Sequence, residues 1–206
     1  MNATAPAASN IVPMPNPRRA ATRARICGAA GALFFEQGFA GTSMEDIAQA
    51  VGIRRSTLYL HFRDKDEVLG AIAEDYTEKL RPVIALLAGP EPTHEEIANW
   101  VDDMAAFVMR EREATELLVS LSHLPKAPAA ALAFGLAFKD MMAARLAAFQ
   151  RALEPGNPLA FARAMAATDG LGWALCHHAR AGGDAVSKAR LSVAADTLNR
   201  FVRGEM

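Results

Sequence analysis

Between Gly41 and Leu69 the chain reads GTSMEDIAQAVGIRRSTLYLHFRDKDEVL, and the spacing of its apolar residues leaves few folds open. Thr42 or Ser43 offers a helix N-cap, and Glu45 or Asp46 the acid that completes a capping box. The short helix this starts carries Ile47, Ala48 and Val51 on one face and stops at Gly52. A second short helix, about 55–62, turns Leu58 and Phe62 inward. Together with Ile53 these side chains suffice for one miniature core, which is the helix-turn-helix arrangement.

The flanks are helical too. From about 18 to 37 the residues Ile26, Ala30, Leu33 and Phe34 follow three–four spacing, and Gly38 closes the helix. Asp64 caps a long helix through Val68, Leu69, Ile72, Tyr76, Leu80, Val83, Ile84 and Leu87, which ends before Gly89-Pro90. Thr93 with Glu96 opens another, bearing Ile97, Trp100, Val101, Met104, Phe107 and Val108. A shorter helix around 113–123 follows, and then long Ala-rich helices at about 129–153, 158–181 and 187–203. No strand pattern or internal repeat interrupts them. The expected fold is all-α with about nine helices. A three-helix helix-turn-helix domain (18–65) precedes a helical bundle (66–206). Residues 1–17 hold four prolines and no charged side chain, and are expected to be a disordered tail.

Charge is unevenly placed. Residues 18–65 carry eight basic and four acidic side chains, whereas the rest of the chain is net acidic, and the whole sums to -1. Only the N-terminal quarter is therefore suited to a polyanion. Cys27 and Cys176 read as small buried hydrophobes. No window is apolar enough to span a membrane, and the N-terminus does not read as a secretory signal, so the cytoplasm is the expected location. Neither a nucleophile–base pair, a phosphate loop nor a metal-ligand spacing is present. The adjacent His177 and His178 point about 100° apart on a helix. No catalytic role, metal or cofactor is expected.

The second short helix begins with Arg54, Arg55, Ser56 and Thr57, where a recognition helix presents groups to base edges in the major groove. An arginine bidentate to guanine contributes about 1–3 kcal/mol of discrimination. The Thr57 methyl suits thymine. Thr42 and Ser43, at the start of the preceding helix, are placed for phosphate. The plainer alternative for the arginines is a solvated face.

Gly38-Phe39, Ser43, Ile47-Ala48, Gly52-Ile53, Leu58-Tyr59, His61-Phe62 and Lys65-Asp66 together resemble the DNA-binding domain of the TetR family of regulators. The resemblance covers about 50 residues. It implies phosphate contacts from Tyr59, His61 and Lys65, and base contacts from Arg54, Arg55, Ser56 and Thr57. One position departs from the family pattern. The recognition helix usually opens on a Ser or Thr cap, where this chain has Arg54, and an arginine cannot accept a backbone N–H; the missing cap is worth roughly 1 kcal/mol.

The resemblance also implies a homodimer on a palindromic double-stranded DNA operator, joined through the last two long helices. Ala167, Gly170, Leu171 and Ala174 on one, with Leu191, Ala194, Leu198 and Val202 on the other, are the expected interface; the alternative is that both stripes face the protomer's own core. Trp100, Met104, Phe107, Phe134, Phe138, Met141, Phe161, Met165 and Trp173 are candidates to line a cavity for a small, mostly apolar effector, with His123, Asp169 and His177 as polar groups. Such a stripe also serves as plain core. The implied function is a ligand-released repressor. An activator, or a sequence-tolerant architectural DNA binder without an inducer, are the alternatives.

Overall fold

The computed structural model describes residues 17–206; the expected tail, apart from Pro17, lies outside the described residues. Ten helices follow in order: α1 Pro17–Gln37, α2 Met44–Val51, α3 Arg55–Tyr59, α4 Lys65–Ala85, α5 His94–Arg110, α6 Arg112–Ser122, α7 Ala129–Ala143, α8 Ala147–Ala152, α9 Pro158–Ala181 and α10 Ala185–Val202. Among the described residues there is no strand. Pro17 is the first residue of α1 rather than the last of the tail, a position where its missing N–H costs nothing.

Local chemistry accounts for most boundaries. Ser43 caps α2 and Asp46 reaches back to the Ser43 amide, so of the two possible capping boxes this one forms. Gly52 ends α2 at φ 73°, in the left-handed region where glycine is preferred. Thr93 and Glu96 form the same reciprocal pair at α5. Asp64 and Asp184 cap α4 and α10.

The expected helix 129–153 is instead two, and the break has a long-range cause. Arg145 donates to the carbonyls of Ala85 and Leu87, at 2.8 and 2.6 Å. The Ala147 amide donates to the Pro90 carbonyl. The end of α4 is thus held in the gap, with Leu146 extended and fully buried beneath it. Such carbonyls lack partners within their own helix and need one from elsewhere.

α1, α2 and α3 close over Ile26, Ala30, Phe34, Ile47, Leu58 and Phe62, all nearly inaccessible to solvent. Each of the large side chains among these contributes about 1.5–3 kcal/mol by leaving water. Val68 and Leu69 of α4 complete that core, while Tyr76, Leu80 and Ile84 further along α4 belong to the bundle. One continuous helix therefore serves both parts. Buried Glu116 on α6 accepts from Arg112 and, at 2.6 Å, from Arg180 on α9, tying those helices together.

Candidate nucleic-acid interface and effector cavity

Three arginines of α1 brace the helix-turn-helix from behind. Arg25 donates to the Val51 carbonyl at the end of α2. Arg19 and Arg23 donate to the carbonyls of Leu60 and His61 just past α3, the latter at 2.6 Å. Arg23 also lies over the Phe62 ring, 4.0 Å from its centroid. Cations on helix C-terminal carbonyls satisfy orphan acceptors and oppose the helix dipole. Part of the positive charge of this quarter is therefore spent on the fold.

What remains outward is compact. Arg54, Arg55 and Ser56 are exposed at the start of α3 and Thr57 is half-buried. Arg54 is the N-cap by position, and its side chain makes no cap bond. Arg55 donates to the Tyr59 hydroxyl at 3.3 Å and lies 3.8 Å from Glu45 on α2. Tyr59 is 42% exposed and stands beside the same face. His61 is half-buried, with Nδ1 enclosed and without a partner. Burial, then Arg19 and Arg23, hold its imidazole below the usual histidine range, so it is neutral.

Two of the expected phosphate ligands are placed otherwise. Thr42 is buried, and its hydroxyl donates to the Gly38 carbonyl at 3.0 Å, inside the α1–α2 connection. Lys65 directs its ammonium inward to the carbonyls of Phe39, Ala40 and Thr42. An ammonium has three protons, and three carbonyls take them. Ser43 is exposed, and Asp46 accepts from both its amide and its hydroxyl.

In the bundle, α4, α5, α6, α7 and α9 enclose a cavity of about 440 Å³, within the range of small-molecule sites. Seven expected residues line it: Met104, His123, Phe134, Phe138, Phe161, Met165 and Asp169. Five do not. Trp100 is buried with its indole N–H on the Val83 carbonyl at 3.0 Å. Phe107 packs against Tyr76, and Met141 is buried in the core off the wall. Trp173 is on the outer side of α9 beside His123, 45% exposed. His177 is half-buried beyond the cavity, its Nδ1 without a partner.

The wall also includes residues that the sequence reading passed over, chiefly Tyr76 and Leu80 of α4, Thr115 of α6 and Lys139 of α7. Tyr76 and Thr115 share a buried hydrogen bond of 2.8 Å. The available signal for Lys139 was its isolation as the one basic residue in AAALAFGLAFKDMMA. Among the described residues no three His, Cys, Asp or Glu converge on a metal-sized site. No helix of the described residues is long and apolar enough to cross a membrane.

The stripe expected at a dimer interface is mostly internal. Ala167, Leu171, Ala174, Leu191, Ala194, Leu198 and Val202 are buried within the protomer, where α9 packs on α10. Small residues permit that close approach as readily as an intermolecular one. Of the set only Gly170 faces outward, in a row with Ala166 and Trp173; Val186 and Val193 are exposed on α10.

Comparison with known proteins bears first on the N-terminal part. Residues 26–72 match the family described as "Bacterial regulatory proteins, tetR family". The chain is 39% identical over 57 residues to the HTH-type transcriptional regulator TtgR of Pseudomonas putida, a match covering 28% of this chain and 27% of TtgR. It is 36% identical over 64 residues to the HTH-type transcriptional repressor Rv1474c of Mycobacterium tuberculosis, covering 31% and 34%. The chain thus spans about a quarter to a third of the length of these curated relatives. The fold as a whole is similar to a TetR-like transcriptional regulator from Rhodococcus sp. RHA1, with TM-score 0.63, 20% identity and coverage of 93% and 98%. A TetR family transcription regulator from Marinobacter aquaeolei VT8 gives TM-score 0.64 at 16% identity, covering 88% and 97%.

Proposed function

We propose that the chain is a repressor of the TetR family of bacterial regulators, which binds a palindromic operator as a homodimer and leaves it when a small molecule fills the bundle cavity. The observation that carries this reading is the outward row Arg54, Arg55, Ser56 and Tyr59 on a helix braced from behind by Arg19, Arg23 and Arg25. Held in that way, α3 enters the major groove with its side chains already placed. Arg54, Arg55, Ser56 and Thr57 then face bases, while Tyr59, His61 and Ser43 border the phosphates. A cytoplasmic location accords with such a role.

The division we propose, 18–65 for DNA and 66–206 for effector and partner, cuts through the first turn of α4. Tyr76 and Leu80 line the cavity, and Lys65 at the other end is bonded to the α1–α2 connection. Eleven residues of helix separate Lys65 from Tyr76, roughly 16 Å. A ligand that binds better to one tilt of α4 than to another shifts the spacing of the two recognition helices in a dimer. Only that difference in affinity produces release, typically about 1–3 kcal/mol.

Fluorescence anisotropy tests the DNA half of the reading. The intact protein is titrated against the DNA upstream of its own gene, with random DNA as competitor, at two salt concentrations. Sequence-specific, salt-weakened binding that is lost in an Arg55→Ala/Tyr59→Phe double variant is expected. Binding equal to that of random DNA, after a random-site selection has also failed to enrich a sequence, would sink it.

A further inference from the structure

The cavity wall carries a charge that the protein does not neutralise. Lys139 of α7 is half-buried among apolar neighbours. Among the described residues its ammonium makes no hydrogen bond and no ion pair; its one close contact is the face of the Phe161 ring, 5.9 Å from Nζ to the centroid. Among the described residues the only carboxylate on the wall is Asp169, which lies 3.4 Å from His123 Nε2. Asp169 lies eight residues along α9 from Phe161, about 12 Å at 1.5 Å per residue. His123 Nδ1 is bonded in turn to the Val119 carbonyl.

The cavity is therefore polarised: an unpaired ammonium at one end, the neighbouring His123 and Asp169 at the other, and a mostly apolar wall between. An ammonium that no protein group bonds is open to an anionic partner, and a charge-assisted hydrogen bond is the stronger kind. An anion with an apolar tail matches both parts of the wall. We propose that the effector is an apolar-tailed monocarboxylate whose headgroup pairs with Lys139 and whose tail runs toward Met165 and Phe134. This rests on the cavity being the effector site.

The test uses the full chain and isothermal titration calorimetry. Straight-chain carboxylates of six to fourteen carbons are titrated beside alcohols of the same lengths, into the wild type, Lys139→Met and Gly135→Phe. Gly135 lines the cavity, and a Cβ built there meets nothing within 4 Å, so a phenylalanine is expected to be admitted at its root and to take up cavity space. In the wild type the best carboxylate is expected to bind about tenfold more tightly than its alcohol, the effect of one charge-assisted pair. Lys139→Met is expected to erase that preference while still binding the alcohol, and Gly135→Phe to abolish both. Equal affinity for acid and alcohol, or a preference that survives Lys139→Met, overturns the assignment and leaves the cavity as the effector site. If no member of either series shows binding that Gly135→Phe removes, the assignment and the effector reading fall together.

Discussion

Lys65 Nζ donates to the carbonyl of Phe39 across 2.7 Å, and the carbonyls of Ala40 and Thr42 take its other protons. Those carbonyls belong to the turn that sets α2 against α1, so this lysine is a strut of the DNA-binding domain. Lys65→Met is expected to lower stability by about 1–2 kcal/mol, because three carbonyls lose a charged donor yet remain partly open to water. A phosphate ligand would behave differently: its loss reduces the slope of log K against log salt by about 1. The expected result is a lower Tm with an unchanged salt slope. A reduced slope at unchanged Tm would return Lys65 to the phosphate contacts.

Arg54 occupies the N-cap of α3 with φ −69° and ψ 144°, a backbone that suits a capping serine, but its side chain accepts nothing. Arg54→Ser supplies the missing acceptor and is expected to stabilise the protein by about 0.5–1 kcal/mol. The same change removes a cation from the end of the helix proposed to face DNA and is expected to weaken specific DNA binding about tenfold, the worth of one base or phosphate contact. Thermal melts and anisotropy on the same preparation read the two effects. A variant that gained stability with no loss of affinity would show that Arg54 touches no DNA.

What the sequence made legible here was local chemistry. Ser43 with Asp46, Thr93 with Glu96, and Gly52 mark helix ends because cap and partner lie within a few residues of each other. The break at Leu146 was hidden because its cause is Arg145 reaching carbonyls 58 and 60 positions away. The inward turn of Lys65 and Thr42 was hidden for a related reason: a polar side chain near a helix start turns outward or inward according to what the rest of the fold leaves unsatisfied. Periodicity identified apolar faces on α9 and α10, yet both faces of α9 are small or apolar. Which one meets α10 is settled by packing, and Ala167 and Leu171 went inward while Gly170 and Trp173 stayed out.

His61 is kept neutral by burial and by Arg19 and Arg23, which hold its pKa below the ordinary 6.5. The unfolded chain then binds more protons than the folded one as pH falls below about 6.5, and stability declines through that window. His61→Gln removes this contribution. The wild type is expected to lose more Tm than the variant between pH 7 and 5.5, with the difference vanishing above pH 7. Parallel melting curves across the range would mean that His61 does not titrate there.

The outward face of α9 and α10 gives the last expectation. Trp173 is 45%, Val186 58% and Val193 66% exposed, while Ala166, Gly170 and Trp173 recur at the spacing of one helix row. Burying such a row against its symmetry mate removes apolar area from water, and Gly170 at its middle lets two helices approach closely. A Cβ added at Gly170 meets nothing within 4 Å in the protomer. Gly170→Arg therefore leaves the protomer intact, and it even improves helix propensity by about 0.8 kcal/mol, but it places a long charged side chain in the proposed seam. The wild type is expected to run in multi-angle light scattering at twice the 22.0 kDa chain mass, and the variant at the chain mass with an undiminished Tm. Operator affinity should fall with it, because two half-sites are then bound by unlinked protomers. If Gly170→Arg stays dimeric, the α9 row is not the interface.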